Sequence, residues 1–271
     1  MSQTHYVLGH DERERRRLAL QASILNPFTE QLLRRAGVSS GMRVLDLGCG
    51  VGEVSMIAAR LVGRYGKVVG IDIDEGALDV ARQNSQQNGL SNVEYARSDC
   101  QSYRPTKLFD AVTGRFILVH TPNPLSLVQT SHSLLKPGGV AIFQDLDFSV
   151  IHTAFPESPL REAVFAMYRD FFHKAGLPKN AGTQIFHLFI EAGFSFPDCR
   201  AEYPIDGGAD SPFYEWTAET LRSMLPRIKA LGLSCDSIGD IDTLAQRLRE
   251  EAVSRRSCCP TSVIVGGFAR R

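Results

Sequence analysis

Arg43 to Ser55, RVLDLGCGVGEVS, is the stretch that decides the fold. Arg43 to Leu47 cluster as a short buried strand, Gly48, Gly50 and Gly52 follow at every second position, and Val54, Met56, Ile57 and Leu61 then fall at helical spacing. The spacing predicts strand, tight glycine turn, helix. Glycine has no Cβ, so the backbone can take positive φ and come within contact distance of a bound molecule. The N–H groups that open the following helix face whatever lies there, which makes the turn a seat for a polar ligand. A plain strand-to-helix turn is the alternative, but it requires fewer glycines.

Outward from that turn, Gly66 to Ile73, GKVVGIDI, predicts a second strand ending in an acid. Asp72 lies about twenty residues past the last glycine, where an acid closing the second strand meets the ribose hydroxyls of an adenosine-containing ligand. A carboxylate suits that task because it accepts two hydrogen bonds from a vicinal diol. Asp74 and Glu75 read as N-cap and first-turn acids of the next helix. A dinucleotide site wants G-x-G-x-x-G, and here the sixth position is Glu53. A carboxylate at that helix N-terminus repels a pyrophosphate. The phosphate-loop pattern is absent, since no G-K-[ST] follows the glycines.

Composition narrows the partners. The 271 residues are 43% hydrophobic and 22% charged, which excludes disordered and collagen-like classes. Thirty Lys and Arg balance thirty Asp and Glu, so there is no global positive field to attract nucleic acid or an anionic membrane. A small-molecule substrate is expected, with the chain a monomer or homodimer. No basic and apolar leader opens the sequence, and no apolar run approaches the roughly 20 residues that span a bilayer. A cytoplasmic location is the expectation. Cys49, Cys100, Cys199, Cys235, Cys258 and Cys259 form no C-x-x-C pair and no metal spacing with histidine, so they read as reduced thiols with no bound metal.

The first forty residues are helical in character, with DERERRR at Asp11 to Arg17 and a break into two helices expected near Asn26 and Pro27. The arginine cluster fits a solvated face, or a lid over the glycine turn that includes Tyr6, Arg17 and Gln21. Phe109 to His120 predicts the fourth strand and its turn, Pro124 to Leu135 a helix, and Val140 to Phe143 a fifth strand ending at Asp145 and Asp147. Ligands of open α/β sheets sit beyond the carboxyl ends of the strands, so Arg115, His120 and Asp145 belong to the active rim. Further on, helices are expected at Leu160 to Ala175, Thr183 to Ala192 with Gly193 as C-cap, Pro212 to Leu231 and Ile241 to Ser254. Strands are expected at Arg200 to Ile205 and Ser262 to Phe268. The domain organisation that follows is a helical lid over 1–40, a core of 41–156 with 181–210 and 257–271, and helical cap insertions at 157–180 and 211–256. Phe213, Tyr214 and Trp216 in the second insertion suit an apolar or aromatic substrate, though for most of them taken singly core packing is the stronger reading.

The succession VLDLGCGVG, VVGIDID, VEYARSD, FDAVTGRFILVH and LLKPGGVAIFQD, over roughly residues 42 to 147, resembles the class I S-adenosylmethionine-dependent methyltransferases in order and separation. The ubiquinone-biosynthesis-like and natural-product small-molecule types are the varieties it resembles most. YVLG with downstream ERRRLALQ is similar to the segment that covers the cofactor in that group, which places Tyr6 and Gln21 there. The resemblance implies an α/β, Rossmann-like fold: a seven-stranded, mostly parallel sheet with helices on both faces and a helical cap. It implies S-adenosyl-L-methionine as cofactor and S-adenosyl-L-homocysteine as product, with Gly48, Cys49, Gly50 and Gly52 as the cofactor turn. It further implies that Asp72 meets the ribose, that Ile73 packs on the adenine, and that Asp99 and the N–H of Cys100 bond the adenine edge. Asp46 would orient the methionine end, and the Arg115 backbone carbonyl would meet the cofactor amino group, leaving that side chain for another role. Turn-capping remains the alternative for Asp46 and Asp99, and ordinary core packing for Ile73.

Methyl transfer from a sulfonium is an in-line displacement, so alignment and exclusion of water are the protein's main tasks. For an oxygen or nitrogen acceptor a general base helps, and His120 is the first candidate, with helix capping or substrate binding as its alternative; Asp145 is the second, a satisfied strand-end aspartate being the stronger reading there. His152, His173 and His187 are single histidines in helical or loop context. A carbon acceptor needs no such base. A non-methylating cyclase of the same fold and a macromolecule methyltransferase are the competing functions.

Overall fold

The computed structural model describes residues 12–149 and 153–271, so Tyr6 and His152 lie outside the described residues. The chain divides into two compact units. One comprises 24–146, 181–202 and 264–271; the other comprises 12–23, 147–149, 153–180 and 203–263.

The first unit is built on β1 (Arg43–Leu47), whose Val44, Leu45, Asp46 and Leu47 are all buried. A strand buried on both faces shows a continuous apolar run rather than an alternation, and β1 is such a strand. It pairs in parallel with β2 (Lys67–Asp72) on one side and β4 (Phe109–Arg115) on the other. Parallel β3 (Val93–Arg97) and β5 (Leu135–Asp147) extend the two flanks, then β9 (Val263–Arg270) and β6 (Ser195–Glu202), which pair antiparallel with each other, complete the order β3-β2-β1-β4-β5-β9-β6. Parallel pairing brings the carboxyl ends of β1, β2, β4 and β5 to one edge, as expected for the Rossmann-like sheet.

Helices α2 (Glu53–Val62), α3 (Glu75–Gln87), α4 (Pro124–Leu134) and α6 (Ala181–Glu191) belong to this unit. Ile57, Ala58 and Val62 of α2 pack with Val44, Val68, Ala111 and Ile142 of the sheet and with Leu32, Leu33 and Ala36 in one apolar cluster. Asp74 caps α3 as predicted, its Oδ1 accepting from Ala77 N at 3.1 Å. Gly193, at φ +86°, closes the turn after α6.

Some expectations are corrected. The N-terminal segment is one continuous helix, α1 (Glu12–Arg35), with Pro27 inside it. Proline removes one backbone bond, and Thr29 Oγ1 adds one to Leu25 O at 3.1 Å while Leu25 before the proline and Leu32 and Leu33 after it are buried. The sixth strand starts at Ser195 rather than Arg200, and a two-stranded sheet of β7 (Ile205–Gly207) and β8 (Cys258–Pro260) was not foreseen. Three residues per strand carry too little alternation to register as a pattern.

The second unit holds that small sheet with α5 (Pro159–Lys174), α7 (Phe213–Ala230) and α8 (Leu244–Arg255). Its core is aromatic. Phe148 stacks on Phe172 at 4.5 Å and lies 5.7 Å from the Tyr168 ring, and Tyr168 Oη donates to Thr217 O at 2.8 Å. Phe213, Tyr214 and Trp216 are buried, Tyr214 Oη donating to Gly208 O at 3.1 Å. Arg161, fully buried, donates from Nε to the Pro260 carbonyl at 2.9 Å and lies 4.2 Å over the Phe165 ring. Among the described residues no helix is long and apolar enough to cross a membrane. All six cysteines are free.

Candidate functional site

The glycine turn takes the predicted conformation, with Gly48, Gly50 and Gly52 at φ +64°, +51° and +88°. Each is kept bare for a different reason. A Cβ on Gly48 would stand 2.8 Å from Ile117 Cδ1, one on Gly52 would collide with the Tyr95 hydroxyl, and one on Gly50 would meet nothing within 4 Å. Gly50 is therefore the position where the backbone lies open to a ligand. Part of the turn's donor capacity is used inside the fold: Cys49 N bonds Ile71 O at 3.0 Å, Gly52 N bonds Cys49 O at 2.9 Å, and Gly50 N donates to Asp72 Oδ2 at 2.9 Å.

Asp72 closes β2 against this turn, and its other oxygen accepts from Asp74 N at 3.0 Å. Two amides thus fix the carboxylate while each oxygen retains a further lone pair. Ile73 beside it is 42% exposed, an apolar side chain left uncovered. Asp99 is exposed and caps its own turn, Oδ1 accepting from Gln101 N at 2.8 Å and Ser102 N at 3.1 Å. Burial pushes the Cys100 thiol up to about 12. The Cys49 thiol is raised well above its ordinary value, burial first and the neighbouring Asp46 and Asp72 next.

Behind the turn lies a polar network that the sequence did not announce. Asp46 is buried and accepts from Ser55 Oγ at 2.6 Å; burial pushes its carboxyl up to about 7, against the lowering effects of Ser55 and Arg115. Arg115 Nη1 donates to Asn26 Oδ1 and Thr29 Oγ1, both at 2.9 Å, and burial brings its guanidinium down to about 10 while Asp46 and Glu53 hold it up. Asn26 Nδ2 donates to Glu53 Oε2 at 2.9 Å, and Thr29 Oγ1 lies 2.6 Å from Gln144 Oε1. Asn26 and Thr29 stand three apart on one face of α1, a polar pair within an apolar stripe, and that spacing was the available signal.

The turn after β4 carries the remaining rim residues. A single 3-10 turn, Leu118–His120, follows Phe116 and leaves His120 exposed. Asp145 matches the satisfied strand-end reading rather than that of an acid facing an acceptor: its side chain is fully buried, and Oδ2 accepts from Leu118 N at 2.9 Å. Burial pushes its carboxyl up to about 8, with the amides of Leu118, Val119, Leu146 and Ile117 acting downward. Gln21 belongs to the other unit, where its Oε1 accepts from Arg17 Nη1 at 3.0 Å and Arg17 is paired with Glu14 at 2.6 Å. Phe213, Tyr214 and Trp216 there form core, as described above.

A glycine turn after the first strand of a sheet ordered in this way, with an acid ending the second strand, defines the class I methyltransferase variety of the Rossmann-like fold. Residues 38–193 match the methyltransferase-domain family, so the chain belongs to that family of S-adenosylmethionine-dependent methyltransferases. It is 33% identical over 168 residues to the ubiquinone biosynthesis O-methyltransferase of Acinetobacter baumannii (strain AYE), covering 61% of this chain and 65% of that protein. The match thus spans just under two thirds of that relative's length. Among solved structures, the [4+2]-cyclase SpnF is similar in fold at a TM-score of 0.57 and 19% identity, covering 90% of this chain and 80% of that one. A SAM dependent methyltransferase from Aquifex aeolicus is similar at 0.50 and 17%, covering 89% and 88%.

Proposed function

We propose that the chain transfers the methyl group of S-adenosylmethionine to an oxygen of a small, apolar or aromatic acceptor. The observation that carries the proposal is the pairing of Gly50, bare and open, with Asp72, whose carboxylate is preset by two amides. The residues present suit an adenosylated sulfonium. Three acids, Asp46, Glu53 and Asp72, surround or back the turn, which favours a cationic ligand over a pyrophosphate. Ile73 offers an uncovered apolar surface for a base. The oxygen acceptor is supported by the name of the Acinetobacter relative.

When bound, S-adenosylmethionine supplies a methyl group activated by its sulfonium. The chain's own contribution is placement. Asp72 accepts from the ribose hydroxyls, Ile73 packs on the adenine, and Asp99 and Cys100 meet its edge. Asp46, held by Ser55 and within the field of Arg115, orients the methionine end together with the Arg115 carbonyl. His120 takes the acceptor's hydroxyl proton on an imidazole nitrogen. Asp145 has no exposed surface from which to do so.

The test is turnover with methyl-labelled S-adenosylmethionine and a panel of hydroxylated aromatic and aliphatic acceptors. Label in the product, with S-adenosylhomocysteine released in equal amount, is expected. Conversion of an acceptor to an unlabelled isomer would overturn the proposal in favour of a cyclase.

A further inference from the structure

Phe116 stands in the left-handed region at φ +56°, a conformation that a bulky L residue holds only when its surroundings impose it. Two neighbours on β5 impose it. Phe116 N donates to Gln144 O at 2.8 Å, and Leu118 N donates to the fully buried Asp145 Oδ2 at 2.9 Å. The consequence is where Ile117 goes. A Cβ on Gly48 would stand 2.8 Å from Ile117 Cδ1 and one on Gly114 would stand 2.9 Å from Ile117 Cγ2, so Ile117 lies flat against both glycines. Ile117 O in turn accepts from His120 N at 3.2 Å and from Thr121 Oγ1 at 2.7 Å.

We propose that Asp145 is a positioning residue: its buried side chain anchors the strained Phe116 turn and thereby seats Ile117 on Gly48 of the glycine turn and His120 at the rim. Only one carboxyl oxygen is needed for this. Oδ1 is buried without a hydrogen-bond partner among the described residues, so an asparagine, whose carbonyl oxygen can keep the Leu118 bond, satisfies an anchor. It does not satisfy a proton acceptor. The conformational cost at Phe116 also predicts a specific rescue, because glycine adopts positive φ without help.

The experiment compares wild type, D145N, D145A and D145A/F116G, each checked for folding by thermal melting. Amide hydrogen exchange at Ile117 to Val119 and kcat with labelled S-adenosylmethionine are the two readouts. D145N is expected to keep both its protection and a kcat within about threefold of wild type, while D145A loses protection and about tenfold or more in kcat. D145A/F116G is expected to regain most of both. A D145N enzyme as slow as D145A, or a D145A protein with undiminished protection, would overturn the proposal, as would absence of rescue by F116G. The kinetic readout rests on the methyl-transfer proposal. Exchange does not: a wild-type protein that methylates nothing would sink that proposal and leave the anchor to be judged by protection and its rescue.

Discussion

Two turns at the same edge of one sheet solve the same conformational problem in opposite ways. After β1 the chain reaches positive φ with glycines, at Gly48, Gly50 and Gly52. After β4 it does so at Phe116, held by Gln144 and Asp145. The first turn stays bare because Ile117 and Tyr95 occupy the places where a Cβ on Gly48 and Gly52 would stand, while Gly50, at positive φ, keeps an open face. The second carries side chains, Ile117 and His120, that need a defined place. Residue type sets one turn and tertiary hydrogen bonds set the other. A site that needs both close backbone approach and a placed side chain benefits from having one of each.

The largest effect expected from breaking this arrangement is at Arg115, which ends β4 and faces Asp46 and Glu53 behind the glycine turn. Arg115→Met leaves those acids uncompensated and should lower the unfolding free energy by roughly 3 kcal/mol in urea titration. A loss under about 0.5 kcal/mol, the scale of an ordinary surface change, would show that the network does not couple the two turns. Asp72→Ala removes the partner of Gly50 N along with the proposed ribose acceptor. Calorimetry should show S-adenosylmethionine affinity falling about 100-fold, near 2.7 kcal/mol, and unchanged affinity would remove the ligand from the glycine side. Gly48→Ala should cost about 2 kcal/mol, combining strain at positive φ with the encounter with Ile117. Ile117→Ala should relieve part of that cost in a double-mutant cycle, and strict additivity would mean that the turns do not touch energetically.

The most gradual effect concerns pH. Burial raises the folded-state values of Asp46 to about 7 and Asp145 to about 8. Between the ordinary carboxyl range near pH 4 and those values, the folded chain keeps protons that the unfolded chain has released. Raising pH through that window therefore lowers stability, and the loss is complete above about 8. Thermal melting from pH 5 to 9 should show wild type losing stability relative to D145N as pH rises; parallel curves would contradict the buried, raised carboxyl.

What was legible in the sequence divides along the same line. Glycines at every second position and an acid ending the next strand are local signals, and they placed the β1 turn and Asp72 correctly in the fold. The N-cap at Asp74 and the glycine after α6 were legible for the same reason. Phe116 was not, because its conformation is imposed by Gln144 and Asp145, nearly thirty positions away, and no local pattern marks a strained phenylalanine. Asp145 was expected at the open rim from its place at a strand end, but the amide of Leu118 draws its side chain inward. Pro27 signalled a break that α1 does not make, since side-chain bonds and buried leucines outweigh one missing N–H. The aromatics of α7 carry no mark in sequence that separates substrate wall from core, and the structure uses them as core.

The most direct test of the central claim, that the bare glycine turn seats the adenosyl group while the anchored turn beside it completes the site, is a crystal structure with S-adenosylhomocysteine bound. Ribose hydroxyls are expected within hydrogen-bond distance of both Asp72 oxygens, adenine against Ile73, and the homocysteine end along Gly48 to Gly52 with Ile117 unmoved. Density for the nucleoside elsewhere, or a ribose out of reach of Asp72, would contradict that claim.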